Sequence, residues 1–190
     1  MANGYQSQED GAEEVSELDD RLMVAIGLGD QDAMNALARR HRARVLRFAL
    51  RMLGDRAAAE DVAQETLIKL WQAAPTYEPL GRFMAFLYAV ARSRCAEHAG
   101  RLVRDGPLLA SDLAPVGDAC GPEHVGRALD GMPRDYRDVL VLSVCEGLTY
   151  GEIADALGIP KGTVASRKAA ALRMLRDRVE SLRGAEGEVW

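Results

Sequence analysis

Residues 148–167 read LTYGEIADALGIPKGTVASR, and they predict two helices separated by a tight turn. Thr149 and Glu152 have the spacing of a capping box, in which each side chain accepts a hydrogen bond from a free backbone N–H group. Gly158 supplies the left-handed residue that ends the first helix, and Pro160 suits the first turn of the next. The stretch therefore predicts a helix-turn-helix, an arrangement that reads duplex DNA in the major groove.

The second helix of this motif, predicted over 161–182, separates apolar from basic residues. An inward face is predicted from apolar residues at helical spacing, namely Val164, Ala171, Leu175, Val179 and Leu182. The other faces carry the basic residues Lys161, Arg167, Lys168, Arg173, Arg176 and Arg178. The alternative is a solvated basic face on an ordinary helical hairpin. Cap, turn and charge together favour DNA binding, with bases read near the helix N-terminus and phosphates held by Arg and Lys.

The formal net charge of −5 is unevenly distributed along the 190 residues. Residues 1–20 contain seven acidic side chains and no Lys or Arg, so the remaining 170 residues hold 24 basic and 22 acidic side chains. A local basic surface is therefore compatible with the acidic total. The acidic start of the chain, residues 1–18, is poor in apolar residues and is predicted to be disordered.

Composition and motifs argue against several classes of protein. No stretch approaches the ~18 consecutive apolar residues of a membrane span, and the N-terminus lacks a signal-peptide pattern, so we expect a cytoplasmic protein without membrane insertion. Cys95 and His98 have the spacing of half a zinc site, but no second pair is near, so no metal or other cofactor is predicted. His41 and His124 belong to no catalytic signature. We expect neither an enzyme nor a small-molecule substrate.

Apolar residues recur at intervals of three and four, which predicts an all-α chain. The first helices are predicted over residues 18–27, 32–53, 55–74 and 82–101, with Asp55 as an N-cap. Residues 104–122 are rich in Gly, Pro, Asp and Ala, a composition typical of a linker. Further helices are predicted over 123–132 and 133–146. We predict two small helical domains, residues 19–103 and 123–184, joined by a flexible linker and followed by a tail, residues 185–190.

The third predicted helix carries apolar residues beside a polar set. The apolar residues are Val62, Leu67, Leu70 and Trp71, and the polar ones are Glu60, Asp61, Gln64, Glu65 and Lys69. The polar set is either a solvated helix face or an acidic ridge that binds a protein partner. Composition alone favours the solvated face.

The fourth predicted helix mixes aromatic residues with arginines. Its aromatic residues are Phe83, Phe86 and Tyr88, and its arginines are Arg82, Arg92, Arg94 and Arg101. Aromatic rings beside guanidinium groups suit single-stranded nucleic acid, because the rings stack on unpaired bases while the cations hold the backbone. Such rings are more often core residues, and at least one of Phe83 and Phe86 is expected to be buried.

Three motifs in this order resemble the extracytoplasmic-function sigma factors of bacterial RNA polymerase, in the sigma-70 family. They are AEDVAQETLIKLW over residues 59–71, FMAFLYAVARS over 83–93, and GLTYGEIA over 147–154 with GTVASR over 162–167. The similarity extends from about residue 19 to residue 182. It implies sigma region 2 in the first domain and region 4 in the second.

The resemblance implies roles for individual residues. The third helix would dock on the β′ coiled coil of core polymerase, whose partners also include the β subunit, through Asp61, Gln64 and Glu65. The −10 element would be opened and captured by Tyr77, Arg82, Phe83, Phe86, Arg92 and Arg94. The −35 element would be read by Lys161, Thr163, Ser166, Arg167, Lys168 and Arg173. An anti-sigma factor is an expected partner, and the protein itself would catalyse no reaction.

Departures from the family pattern leave some points open. Phe86 stands where Trp is usual and Ser93 where Asn is usual, so the base preference at −10 is undetermined. Ala165, Ala169 and Ala170 replace residues that are often basic, which predicts weaker and less salt-sensitive −35 binding. Two alternatives remain, a stand-alone helix-turn-helix regulator and a decoy that mimics a sigma factor and occupies its inhibitor.

Overall fold

The computed structural model describes residues 17–104, 129 and 131–187, and burial is described for residues 17–100, 129 and 131–181. Within these residues every regular element is helical, which confirms the all-α prediction. The helices are α1 (17–27), α2 (Gln31–Leu53), α3 (Arg56–Ala73), α4 (Phe83–Arg104), α5 (Arg134–Leu140), α6 (Tyr150–Leu157) and α7 (Lys161–Gly187). A short 3-10 helix, Ala74–Thr76, follows α3. The predictions for residues 1–16, the linker and most of 123–132 lie outside the described residues.

Local signals set the ends of α2 and α3. The Asp30 carboxylate accepts hydrogen bonds from the backbone N–H groups of Asp32 and Ala33 at 2.8 and 3.0 Å. Gly54, with φ of 71°, ends α2 in the left-handed conformation, and the Asp55 carboxylate accepts from the Ala58 N–H at 2.6 Å. The predicted N-cap at Asp55 is confirmed. The tight connection makes α2 and α3 an antiparallel pair.

The first four helices enclose an aromatic core. Phe48 of α2 and Tyr88 of α4 are both fully buried, and their rings meet edge to face with centroids 5.2 Å apart. α1 is tied to α2 by the buried Asp19, whose carboxylate oxygens lie 2.9 Å from Arg40 Nε and from His41 Nε2. This bundle fixes both the outward face of α3 and the loop that precedes α4.

Gly27 allows α1 to approach the 3-10 helix closely. A Cβ atom at Gly27 would lie 2.6 Å from the Ala74 carbonyl oxygen, which is backbone and cannot rotate away. We therefore expect Gly27→Ala to lower the free energy of unfolding by about 1–3 kcal/mol through overpacking. Urea denaturation followed by circular dichroism measures the change.

Gly100→Ala is the matched control for Gly27→Ala. Gly100 lies in α4, and a Cβ atom there would meet nothing within 4 Å. Alanine in a helix interior is better than glycine by about 0.5–1 kcal/mol, so this variant should be at least as stable as the wild type. Equal behaviour of the two variants would contradict the close approach at Ala74.

The segment predicted as one helix over 133–146 is divided in two. α5 ends at Leu140, and Val141–Cys145 continue as a π-helical turn. The Glu146 N–H donates to the Val141 carbonyl oxygen at 3.1 Å, five residues back, and Gly147 with φ of 73° ends the segment. The prediction of a single regular helix was therefore wrong over its last turn, because a regular helix would bond four residues back.

The two helical units share a core. α4 packs against α6, and Leu142 and Ile153 belong to the same buried cluster as Phe48 and Tyr88. Polar contacts also cross between the units, including Arg137 Nη1 to the Met52 carbonyl oxygen at 3.2 Å. A smaller cluster, Leu129, Met132, Leu140 and Ala171, packs within the second unit. None of the described helices is both long and apolar enough to cross a membrane.

Candidate nucleic-acid interface

α6 and α7 form the predicted helix-turn-helix. The capping box is present, with the Thr149 N–H donating to Glu152 Oε2 at 2.8 Å and the Glu152 N–H donating to Thr149 Oγ1 at 3.2 Å. Gly158 is left-handed with φ of 64°. Pro160 immediately precedes α7, and its carbonyl oxygen accepts from the Thr163 and Val164 N–H groups at 2.9 and 3.1 Å. Backbone hydrogen bonds across the turn therefore help to set the angle at which α7 leaves it, together with the packing of Ile153 and Val164 in the core.

The residues predicted to face the −35 element all lie on α7. Lys161, Ser166 and Arg173 are exposed, whereas Thr163, Arg167 and Lys168 are partly buried. On the inward side Val164 and Ala171 are fully buried, and Leu175 and Val179 are partly buried. The side chain of Leu182 lies outside the described residues. Helical spacing puts Ser166 and Arg173 opposite this inward stripe, whereas Arg167 and Lys168 lie beside it.

Two of these basic side chains are held by neighbours in the same unit. Arg167 Nη2 lies 2.8 Å from Asp135 Oδ2 of α5, and Lys168 Nζ lies 5.2 Å from the centroid of the Tyr150 ring. Such contacts restrict side-chain rotamers before any ligand arrives, which reduces the ordering cost of binding. Any anion that binds Arg167 has to displace Asp135 or share the guanidinium with it.

The exposed face of α3 combines acidic and apolar residues. Asp61 and Gln64 are exposed, and Glu65 is partly buried with its Oε1 atom 3.2 Å from His98 Nε2. Ile68 and Trp71 are 50% and 60% exposed. We call these five residues the α3 surface. Large apolar side chains beside acidic ones are typical of a protein-binding face rather than a fully solvated one.

The outward position of Trp71 was not predicted. The buried residues of α3 are Ala59, Val62, Ala63, Thr66 and Leu70. This stripe already fills the inward face at helical spacing, so Ile68 and Trp71 project elsewhere. The sequence therefore contained the information that Trp71 faces outward. The helical spacing of the inward residues leaves no inward position for it.

The loop before α4 is anchored to the bundle. Tyr77 packs on Phe86, with ring centroids 5.5 Å apart, and both residues are partly buried. Arg82 is exposed, with its Nη1 atom 3.5 Å from Asp155 Oδ2 of α6. Phe83 is fully buried, and its ring centroid is 5.0 Å from that of His41. Phe83 is therefore a core residue in this structure, which confirms that at least one of Phe83 and Phe86 is buried, and its contact with a base stays a prediction.

Arg92 and Arg94 of α4 differ in their surroundings. Arg92 donates to the fully buried carboxylate of Asp138 in α5, and Arg134 donates to the Arg92 carbonyl oxygen at 3.2 Å. Arg94 pairs with Glu97 on its own helix. Burial raises the pKa of the Asp138 carboxyl, against the lowering effect of Arg92. Arg92 is thus directed at the second unit rather than at solvent.

The described residues hold no group of three or more His, Cys, Asp or Glu that is suited to a metal ion. Cys95 is buried, and burial raises the pKa of its thiol to about 12. Since the thiolate is the reactive form, Cys95 is unsuited to redox chemistry near neutral pH. It serves as a small core residue.

Comparison with known proteins finds two matching families. The model described as Sigma-70 region 2 matches residues 37–105, and the one described as Sigma-70, region 4 matches residues 123–175. These ranges contain the α3 surface and the helix-turn-helix respectively.

Similar proteins include two curated relatives and a solved structure. ECF RNA polymerase sigma factor SigL of Mycobacterium tuberculosis is 33% identical over 159 residues, which cover 78% of this chain and 90% of SigL. ECF RNA polymerase sigma factor SigE of Mycolicibacterium smegmatis is 34% identical over 165 residues, 78% of this chain but 63% of SigE. The sigma factor RpoE bound to the anti-sigma factor NepR, from Bartonella quintana, has a TM-score of 0.64 at 23% identity. That alignment covers 73% of this chain and 91% of RpoE, and it shows a shared fold.

Proposed function

The chain belongs to the extracytoplasmic-function sigma factors of the sigma-70 family, and on that premise we propose which surfaces carry out transcription initiation. As a sigma factor it is a DNA-binding regulator that directs core RNA polymerase to specific promoters. The observation that carries the assignment is that the three predicted contact sets lie on three separate parts of the fold, namely α3, the loop before α4 together with α4, and α7. We divide the chain into a polymerase- and −10-binding unit, residues 19–103, and a −35-binding unit, residues 123–184.

The α3 surface is our candidate for docking on core polymerase. Asp61 and Gln64 are exposed, and Trp71 offers a large apolar ring beside them. A ring flanked by polar groups is the usual composition of an interface hot spot, because a desolvated centre is surrounded by a polar rim. Glu65 is positioned by His98 at the edge of this surface.

The loop before α4 and the first turn of α4 are our candidate for the −10 element. Opening the duplex and extracting a base costs a few kcal/mol, which stacking on aromatic rings and phosphate contacts can offset. Tyr77 and Phe86 supply the rings, and the exposed Arg82 supplies a cation. Arg94 lies about three turns into α4, where it pairs with Glu97, and it is our candidate for a contact to the backbone of a bound strand. Arg92 becomes available only when its pairing with Asp138 is broken.

α7 is our candidate for the −35 element. Ser166 and Lys161 are exposed near its N-terminus, where a helix in the major groove meets base edges. Arg173 is exposed two turns later, where phosphate contacts are expected. Ala165 and Ala169 are also exposed, so the outward side contains positions that make no ionic contact.

Arg173→Ala tests the phosphate contact by its salt dependence. We expect the variant to weaken promoter binding by the holoenzyme and to reduce the slope of log K against log[salt] by about 0.9. Filter binding on one promoter over a range of salt concentrations gives the slope. Arg56→Ala removes the same charge from an exposed site on α3, where Arg56 pairs with Glu60, and should leave the slope unchanged. An unchanged slope for Arg173→Ala would exclude this residue as a phosphate contact.

We further propose control by an anti-sigma factor. The solved sigma factor RpoE is bound to the anti-sigma factor NepR, and the exposed Trp71 and Ile68 of this chain offer an apolar surface for such a partner. A partner that covers the α3 surface excludes polymerase directly. We place the protein in the cytoplasm, where polymerase acts, and assign it no enzymatic activity of its own.

Multi-round run-off transcription tests the function as a whole. Purified core polymerase is supplied with upstream fragments from the source genome, with and without this protein. Specific start sites that appear only with the protein are the expected result. A duplex-DNA shift without polymerase and without specific transcripts would favour a stand-alone regulator. Binding to an anti-sigma factor without transcription would favour a decoy.

A further inference from the structure

Asp20 of α1 joins the two ends of the loop before α4. The Tyr77 hydroxyl donates to Asp20 Oδ1 at 2.5 Å, and the Gly81 N–H donates to Asp20 Oδ2 at 2.7 Å. Asp20 itself is 5% exposed. A buried carboxylate that accepts one hydrogen bond on each oxygen holds both donors at a fixed separation. Loop residues 77–82 are therefore clamped at Tyr77 and at Gly81.

The helix that carries Asp20 is itself immobilised. The neighbouring Asp19 is fully buried between Arg40 and His41 of α2. At the other end of α1, Gly27 lies against the Ala74 backbone at the start of the 3-10 helix that leads into the loop. α1 thus contacts the 3-10 helix through Gly27 and the loop through Asp20. Of these two residues, Asp20 is the one that contacts the loop itself.

The two hydrogen bonds of Asp20 position a loop that is partly exposed to solvent. Leu80, between the two anchored residues, is 64% exposed, and Gly81 adopts a left-handed conformation with φ of 68°. Tyr77 transmits its position to Phe86 through ring contact. Burial and the hydrogen bond to Asp20 raise the pKa of the Tyr77 hydroxyl, so it stays protonated and donates throughout the physiological range.

We propose that Asp20 is a positioning residue for base capture at the −10 element, because it presets the loop 77–82 and the Tyr77–Phe86 pair in one geometry. The inference rests on the proposed function of this loop. A preset loop does not have to be ordered when the displaced strand binds, so more of the contact energy is available for separating the strands. A loop that can shift would also discriminate less well between bases.

The test compares Asp20→Ala with Tyr77→Phe in the full-length protein bound to core polymerase. Asp20→Ala removes both hydrogen bonds, whereas Tyr77→Phe removes one and keeps the ring on Phe86. We expect open-complex formation, followed by permanganate footprinting, to fall about 10- to 100-fold for Asp20→Ala and less for Tyr77→Phe. Glu17→Gln removes a charge from the same helix at an exposed residue paired with Arg21, and should behave as wild type.

A second readout separates positioning from a loss of folded protein. Each variant is assayed on a promoter and on copies with single −10 substitutions, and the ratio of activities is compared. Partial unfolding lowers all activities equally and preserves the ratio, whereas a misplaced loop lowers the ratio toward one. In the double variant, Tyr77→Phe should add little to Asp20→Ala, since the shared bond is already lost.

The outcomes distinguish the two levels of the proposal. If wild-type protein forms no open complex with core polymerase, the proposed function fails. If the wild type is active and Asp20→Ala matches it in both open-complex formation and −10 ratio, the positioning role is overturned. An Asp20→Ala variant with a normal ratio but uniformly lower activity also counts against positioning, and assigns Asp20 to the stability of the bundle.

Discussion

Glu146→Ala is expected to lower the free energy of unfolding by about 3–5 kcal/mol, because it leaves the buried Arg51 guanidinium without the Glu146 counter-charge. The Glu146 carboxylate is 2% exposed and lies 2.7 Å from Arg51 Nη1 and 3.4 Å from Arg44 Nε. It also accepts a hydrogen bond from the buried Tyr88 hydroxyl. Urea denaturation of the wild type and variant measures the loss.

Glu180→Ala is the matched control for this change. Glu180 is an exposed glutamate on α7, and substitutions at such positions usually change stability by less than about 0.5 kcal/mol. Glu146→Gln provides an intermediate case, since it keeps the shape and one acceptor oxygen but removes the charge and replaces the other acceptor by an NH2 donor. If Glu146→Ala unfolds at the same urea concentration as Glu180→Ala, the cluster formed by Glu146 with Arg44, Arg51 and Tyr88 contributes nothing to stability.

The same cluster joins the two helical units, so its loss has a second consequence. Arg44, Arg51 and Tyr88 belong to the first unit, whereas Glu146 follows the π-helical turn of the second. Burial and the Glu146 charge raise the pKa of the Tyr88 hydroxyl, which therefore stays protonated and donates. In Glu146→Ala the units lose a shared polar contact, and their unfolding should become less cooperative.

Features governed by neighbouring residues were predictable from the sequence. Asp55, Gly54 and the Thr149–Glu152 box act within a few residues, so their caps and turns appear where the chain pattern places them. For the same reason, most observed helix ends lie within a few residues of the predicted ones. The exception is α7, which ends at Gly187 instead of the predicted residue 182. The basic side of α7 is likewise a consequence of helical spacing alone.

Features governed by distant residues were not predictable. The partners Arg51 and Tyr88 are separated from Glu146 by 95 and 58 residues, so no local pattern connects them. Composition could not decide which of Phe83 and Phe86 is buried, because that depends on where His41 lies after α2 has packed. In the sequence Asp20 is one of several acidic residues of the N-terminal segment. Its role was not predictable because it depends on a loop that begins 57 residues later, at Tyr77.

Trp71→Ala is expected to have the largest effect on polymerase binding, a loss of about 30-fold to several hundred-fold in affinity for core enzyme. Trp71 is 60% exposed in the free protein and is flanked by Ile68, also half exposed. A large ring that becomes buried on docking removes a large apolar area from water, and its indole N–H can still donate a hydrogen bond, so tryptophan is enriched among hot spots. Fluorescence anisotropy of labelled protein titrated with core polymerase gives the affinity.

Leu28→Ala is the control for removal of an exposed apolar side chain. Leu28 is 86% exposed after α1 and is not one of the five residues of the α3 surface, so its truncation should leave the affinity unchanged. Because Trp71 is on the surface, Trp71→Ala should also retain wild-type unfolding behaviour, which separates a lost contact from a lost fold. Gln64→Arg, which adds bulk and charge to the same face, should reproduce the loss. If both Trp71→Ala and Gln64→Arg bind core polymerase with wild-type affinity, the α3 surface is excluded as the polymerase contact. An interface centred there could not tolerate either change.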